Sequence, residues 1–221
     1  MPWDTFSLPE NTHFVQINTL NVSSAIPWRY CETGANLTSL SFTATGQIPW
    51  PKGGNKIGYS GHKHQRGEKE LTIVDNMGNI IGPVTVRPVN EHDTTLLPEI
   101  LKKVVTTSKQ LGLDLTDSYL TLDAGFDGQE NKDLIRQNFL LPVIRPNIRN
   151  NKNPEKIRFL FDEFSSVQHI YRERHRIEHC FAWADTYRKL VIRYEKLHVI
   201  HLGFRYLAYS MINLQWFIGK Q

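Results

Sequence analysis

The sequence is poor in cysteine and in long hydrophobic runs, and both shortages narrow the class of protein. Its 221 residues include two cysteines, Cys31 and Cys180, too few for a disulfide-rich scaffold, so we expect reduced thiols and a cytoplasmic location. The most apolar uncharged stretch, residues 206–219, is interrupted by polar side chains and is shorter than the roughly 18 apolar residues of a membrane-spanning helix. The sequence therefore predicts a protein without a membrane partner.

Several motifs that would identify common enzyme classes are also missing. The N-terminus, Met1-Pro-Trp-Asp-Thr, lacks the basic start, apolar centre and cleavage site of a secretory signal. There is no Gly-x-Gly-x-x-Gly sequence, no phosphate-loop lysine pattern and no evident Ser/His/Asp arrangement. Nucleotide-binding enzymes and serine hydrolases are therefore poor interpretations.

The charge of the chain is mild overall but uneven along its length. The net charge is +4, yet residues 145–205 alone carry 13 Lys/Arg against 7 Asp/Glu. A polyanion such as nucleic acid is one partner that this excess would suit. A solvated basic helix face explains the same charge, and charge alone does not separate the two.

The hydrophobic pattern predicts one domain after an irregular start. Residues 1–36 show no sustained period and are expected to be irregular or weakly ordered, whereas residues 37–221 form the predicted domain. Alternation and β-branched residues predict five strands, at residues 37–45, 70–75, 80–86, 117–122 and 141–144. Helices are predicted at residues 93–112, 129–139, 167–187 and 198–217, with loops at 46–61 and 145–158. This order indicates an α/β fold with a five-stranded sheet.

Asp123 is the first candidate for chemistry. It ends a predicted strand and precedes Ala-Gly125-Phe-Asp127-Gly128, and the carboxyl ends of strands are where α/β proteins commonly place ligands. A carboxylate there could bind a hard cation. The alternative is an aspartate that only hydrogen-bonds the backbone of the turn.

The second candidate is the polar face of a predicted helix. Tyr171, Arg174 and Glu178 lie on one face at helical spacing, next to an apolar stripe that can dock on the core. Glu178 could then reach a metal site at the sheet edge. The alternative is a plain surface pair between Arg174 and Glu178, four residues apart.

Taken together, these motifs resemble bacterial insertion-sequence transposases of the DDE type, in the branch with a Y-x2-R-x3-E signature. The resemblance rests on the Asp123 motif, the Tyr171–Glu178 pattern, the Gly-rich stretch at residues 53–64 and the tail at residues 181–194. It extends over about residues 39–217. The motifs occur in the order and with the spacing of that family.

The resemblance implies a ribonuclease-H-like fold with a mixed five-stranded sheet flanked by helices. It also implies metal-dependent phosphodiester cleavage and strand transfer, with two Mg²⁺ (or Mn²⁺) ions held by two aspartates and a glutamate. Asp123 and Glu178 match two of these three ligands. The implied partner is double-stranded DNA, both at the element ends and at the target, bound by a homodimer near the nucleoid.

The resemblance further implies which side chains contact DNA. Tyr171 and Arg174 would orient the backbone beside Glu178, as suits a planar guanidinium that pairs with phosphate at two points. Basic loops and the tail would add phosphate contacts. These further candidates are His62, Lys63, Lys152, Lys156 and Arg188.

Three departures from the family pattern matter for activity. Thr43 stands where the first catalytic aspartate is expected, so one metal ligand is missing, and Asp75 on the neighbouring strand is the nearest substitute. Asp185 replaces a lysine that ends the signature, and no N-terminal DNA-recognition region is evident, so the chain resembles a truncated member. An inactive enzyme is therefore expected, and the alternative is a DNA-binding remnant that cannot cut.

A remote alternative comes from the sequence His175-Arg-Ile-Glu178-His179. This run matches the H-x-x-E-H pattern of zinc peptidases, with two imidazoles one helical turn apart. That chemistry needs a third ligand further along the chain. Only Glu195, His198 and His201 are available for it.

Overall fold

A computed structural model describes residues 39–49, 54–61, 64–149 and 151–218. The predictions for residues 1–36, and for His62 and Lys63, lie outside these ranges. Within them, no helix combines the length and the apolar character that crossing a membrane requires.

The described strands form one mixed sheet. They are β1 (Ser39–Pro49), β2 (Gly58–Ser60), β3 (Gln65–Asp75), β4 (Thr85–Pro88), β5 (Tyr119–Leu122) and β6 (Leu141–Ile144). The order is β2-β3-β1-β5-β6, with β4 also paired to β3. β3 runs antiparallel to β1, β2 and β4, whereas β5 is parallel to both β1 and β6.

The prediction of five strands was wrong, because the sheet has six. The additional strand, β2, lies in the segment predicted to be a loop. Its three residues are too few to show an alternating pattern, and it forms by backbone pairing with the start of β3. Gly58 permits this approach, since a Cβ there would lie 1.8 Å from the side-chain oxygen of Asn90.

Seven α-helices and a short 3₁₀ turn accompany the described strands. The helices are α1 (Asp93–Gln110), α2 (Gln129–Gln137), α3 (Pro154–Ser165), α4 (Gln168–Arg172), α5 (His175–Ala184), α6 (Arg188–Val191) and α7 (His198–Ile218). The 3₁₀ turn, Ala124–Phe126, follows β5 directly. The prediction of a final helix from residue 198 is thereby confirmed.

Two predicted boundaries were wrong for local reasons. The loop predicted at residues 145–158 ends earlier, because the Asn153 side chain accepts the N–H groups of Glu155 and Lys156 and begins α3. The single helix predicted at residues 167–187 is broken between α4 and α5. There the backbone bonds span three residues, as from Arg174 N to Tyr171 O, and no glycine or proline marks the break.

The two faces of the sheet carry separate cores. On β3, Leu71 and Ile73 point to one face and pack with α1, whereas Val74 points to the other and packs with α5, α6 and α7. This follows from the two-residue period of a strand. Glu68 and Glu70 share the second face, so two carboxylates are buried there as well.

Buried arginines neutralise both carboxylates. Arg193, which precedes α7, forms an ion pair with Glu68, and the side chains of both residues are fully buried. Burial raises the pKa of the Glu68 carboxyl, but the hydrogen bond from His198 and the charge of Arg193 bring it below its ordinary value. Glu68 is therefore ionised in the neutral pH range.

A second buried pair lies one turn further along α7. Arg205 pairs with Glu70, and the Tyr209 hydroxyl donates to the other oxygen of the same carboxylate. Arg193 also donates to the backbone oxygen of Asn55 at 3.2 Å, which fixes the segment before β2. These contacts hold α7 against β3.

We expect Arg193→Ala to destabilise the chain by about 3–5 kcal/mol, because it leaves the Glu68 charge buried without a partner. Urea unfolding at pH 7 would measure this loss. Arg176→Ala is the matched control, since Arg176 forms a partly exposed pair with Glu173 at 3.2 Å and should cost much less. Equal losses in the two variants would contradict the prediction.

Candidate active site at the carboxyl edge of the sheet

Asp123 lies at the carboxyl end of β5 and is shaped by the turn that follows. Its Oδ1 accepts a hydrogen bond from Gly125 N at 2.8 Å. A Cβ at position 125 would lie 2.9 Å from the same oxygen, so glycine allows the close approach. The turn-capping role left open by the sequence is therefore present, and it fixes the orientation of the carboxylate.

The register of the parallel strands places position 43 beside Asp123. Ser39 is opposite Tyr119 and Ser41 is opposite Thr121. Two residues further along each strand, Thr43 comes level with Asp123 at the same edge. On its other side, Thr43 is opposite Thr72 of β3. The position where the resemblance expects an aspartate is thus the neighbour of Asp123.

Asp75 cannot substitute for the missing carboxylate, so that suggestion was wrong. It is paired with Leu40, three residues before Thr43, which is about 10 Å along the strand. Asp75 is fully buried, and its Oδ1 accepts the N–H groups of Met77 and Asn79 at 2.8 Å. Its carboxylate shapes the turn after β3 instead.

Tyr171, Arg174 and Glu178 lie together at the junction of α4 and α5. Arg174 Nη2 lies 3.0 Å from Glu178 Oε1, and its guanidinium carbon is 5.8 Å from the centre of the Tyr171 ring. Glu178 is 58% exposed in its side chain. The surface pair that the sequence left open is therefore present, and it leaves Glu178 accessible.

Electrostatics connect this junction to Asp123. Burial is the main reason that the pKa of the Tyr171 hydroxyl lies above its ordinary value, and the negative charge of Asp123 raises it further. Arg174 and Arg145 act in the opposite direction. Arg145 directly follows β6, so these charged groups meet at the carboxyl ends of two parallel strands.

The basic loop after β6 is held at the same edge. Asn147 N donates to Asp127 Oδ2 at 2.7 Å, and Asp127 also pairs with Lys132 at 2.7 Å. The exposed side chains of Lys152 and Lys156 follow in the chain. Sequence reasoning missed the role of Asp127, although its position four residues after Asp123 could have indicated it.

Arg188 belongs to a different part of the surface. It is exposed at the first residue of α6, which packs against α7 and β1. It borders an apolar groove lined by Tyr187, Leu190 and Phe204. A role for Arg188 in DNA binding stays a prediction.

The described residues do not fit a pair of divalent ions. Among them, no three His, Cys, Asp or Glu residues are arranged to hold a metal. Asp123 and Glu178 are two carboxylates, and the residue at position 43 is a neutral threonine. The zinc alternative has the same difficulty: the rings of His175 and His179 lie 5.1 Å apart, without a third ligand in the described part of the chain.

Comparison with known proteins agrees with this arrangement. Residues 25–211 match the model of the family described as the transposase DDE domain. The chain belongs to this family. No curated protein sequence matches the chain.

The fold is similar to that of solved transposases. The piggyBac transposase, in a synaptic complex with hairpin DNA, matches with a TM-score of 0.53 at 11% identity. The match covers 82% of this chain and 47% of that one, so the chain spans about half the length of that transposase. The Mos1 transposase, in a paired-end complex with the left transposon end, matches with a TM-score of 0.35 at 10% identity. That match covers 84% of this chain and 66% of the Mos1 chain.

We expect Asp123→Asn to lower the pKa of Tyr171, because removing a nearby negative charge makes the phenolate easier to form. An NMR titration with ¹³C-labelled tyrosine would measure the change, with Tyr171→Phe assigning the resonance. Asp133→Asn, on the exposed surface of α2, should leave the titration unchanged. If neither variant, or both equally, shifts the pKa, Asp123 and Tyr171 are not neighbours in solution.

Proposed function

We propose that this chain is the catalytic domain of a DNA transposase with a ribonuclease-H-like fold, formed by residues 37–221. Its substrate would be double-stranded DNA, at element ends and at a target. The observation that carries the proposal is the strand register, because it sets position 43 beside Asp123 at the edge to which Glu178 is linked through Arg174 and Tyr171. Two carboxylates and a vacant third position in this order suit the family to which the chain belongs.

The missing carboxylate limits what this chain can do. Metal-dependent phosphodiester cleavage in the family uses carboxylates as hard oxygen ligands, and the neutral hydroxyl of Thr43 cannot supply the charge of one. Asp75 is engaged in its own turn and lies too far along the strand. We therefore infer that the chain is a poor catalyst, and that the defect lies in metal binding.

The positive groups around the site supply the other half of the proposed function. Arg174 and Arg145 would bind DNA phosphates, and Tyr171 would hold the Arg174 guanidinium in place. A phosphate that binds Arg174 competes with Glu178 for the same guanidinium. DNA binding would thus release the glutamate from its present pair.

A second candidate is a DNA-binding remnant of a transposase that cannot cut. Thr43 favours this candidate, because the loss of one carboxylate from a cluster leaves the basic surface intact and relieves repulsion between like charges. The two candidates differ in whether restoring the carboxylate restores cleavage. The transposase titles of the piggyBac and Mos1 structures, both of DNA complexes, support DNA as the partner in either case.

We expect Thr43→Asp to bind Mn²⁺ at least about tenfold more tightly than the native chain, a gain of about 1.4 kcal/mol. It should also gain divalent-dependent nicking of plasmid DNA. Calorimetric titration measures the first effect and gel electrophoresis the second. Thr43→Asn is the matched control, because it has nearly the same size as aspartate and no charge.

The outcomes separate the two candidates. If Thr43→Asp binds the metal but does not cut, the chain is a remnant. If the native chain cuts as fast as Thr43→Asp, position 43 does not hold the missing ligand and the proposed defect is wrong. Thermal unfolding without metal should show a slightly lower stability for Thr43→Asp, because a third carboxylate adds repulsion.

We expect Lys152→Ala combined with Lys156→Ala to reduce the salt dependence of duplex DNA binding. Each lost phosphate contact should lower the log-log slope by about 0.9, so the double variant should lose about 1.8. Fluorescence anisotropy across a salt series measures the slope. Lys102→Ala with Lys109→Ala, on the exposed surface of α1, is the control. An equal slope change in both pairs would remove the loop from the interface.

A further inference from the structure

The outer face of α7 is apolar and uncharged over most of the helix. Large apolar side chains point to solvent there, with Ile200 at 48%, Leu207 at 59% and Leu214 at 54% exposure. The one Lys, Arg, Asp or Glu residue in the sequence of α7 is Arg205, and it is buried. A helix that faces solvent normally carries charged residues on that side.

The exposed residues follow the spacing of a helix–helix contact. Ile200, Leu207 and Leu214 recur every seven residues, and the small residues Gly203 and Ser210 lie between them. Alternating steps of three and four residues form the seam of two packed helices. Large side chains and small ones thus alternate along a single stripe.

Gly203 has no explanation within the described fold. A Cβ at this position would meet nothing within 4 Å. Glycine inside a helix is destabilising relative to alanine, because it loses more conformational freedom on folding. A second helix that approaches closely at this point would explain the residue, since small side chains let helix backbones come together.

We propose that this stripe is the docking surface for a second copy of the chain, formed by two antiparallel α7 helices. A two-fold axis between positions 208 and 209 brings Leu207 over Ser210 of the other copy and Leu214 over Gly203 of the other copy. Each large side chain then meets a small one. This self-complementarity is what an isologous interface requires, and the absence of charge leaves no repulsion between identical surfaces.

The size of the surface suits a dimer of moderate strength. The 21 residues of α7 extend over about 30 Å, and a helix is about 10 Å wide. Val191, Tyr194 and Leu197 are exposed just before the helix and widen the apolar area. Since a standard interface buries about 800 Å² on each partner, we expect a dissociation constant in the micromolar range. The proposal concerns self-association alone and does not depend on DNA binding or cleavage.

Sedimentation velocity of the full chain without DNA, from about 1 to 100 µM, tests the proposal. We expect a concentration-dependent dimer for the native chain. Gly203→Leu and Leu207→Glu should each weaken it at least about tenfold, with unchanged circular dichroism and melting temperature. Phe159→Glu is the matched control, because Phe159 is 68% exposed on α3 and should leave the dimer intact.

Three results would overturn the proposal. A native chain that stays monomeric throughout this range has no such interface. A dimer that survives both α7 substitutions uses another surface. A lower melting temperature of monomeric Gly203→Leu shows that another part of the same chain covers the stripe.

Discussion

The parallel pairing of β1 with β5 is the constraint on which the candidate site depends. It brings two sequence positions that are 80 residues apart, 43 and 123, to the same edge of the sheet. β3 pairs with the other side of β1 in the antiparallel direction, so its last residue, Asp75, lies near the opposite edge. One strand direction therefore decides which acidic residue can belong to the site and which cannot.

The buried ion pairs make a different contribution. Arg193 and Arg205 bind Glu68 and Glu70 on one face of β3, and this anchors the segment before α7 and the helix itself. α5 packs between that helix and the sheet, with Ile177 and Cys180 in the same core. The anchoring of α7 thus indirectly holds the helix that carries Glu178 over β1 and β3.

The sequence and the structure agree where a pattern was long or a residue type was distinctive. The final helix and the strand before Asp123 were predicted because apolar periodicity extends over their whole length. The break between α4 and α5, the three-residue strand β2 and the early start of α3 were not. Each of these depends on a few backbone hydrogen bonds, and the residues involved, such as Glu173 and Arg174, have no strong preference against a continuous helix.

The sequence by itself determined the family motifs, the basic excess near the C-terminus and the identity of Thr43, because these are properties of residue type and spacing. Only the tertiary structure decided that Thr43 adjoins Asp123, that Asp75 is consumed by a turn, and that α7 leaves one apolar face uncovered. The reason is that neighbours across a sheet are set by strand direction and register, and exposure is set by what packs on each face. Neither quantity is local in the chain.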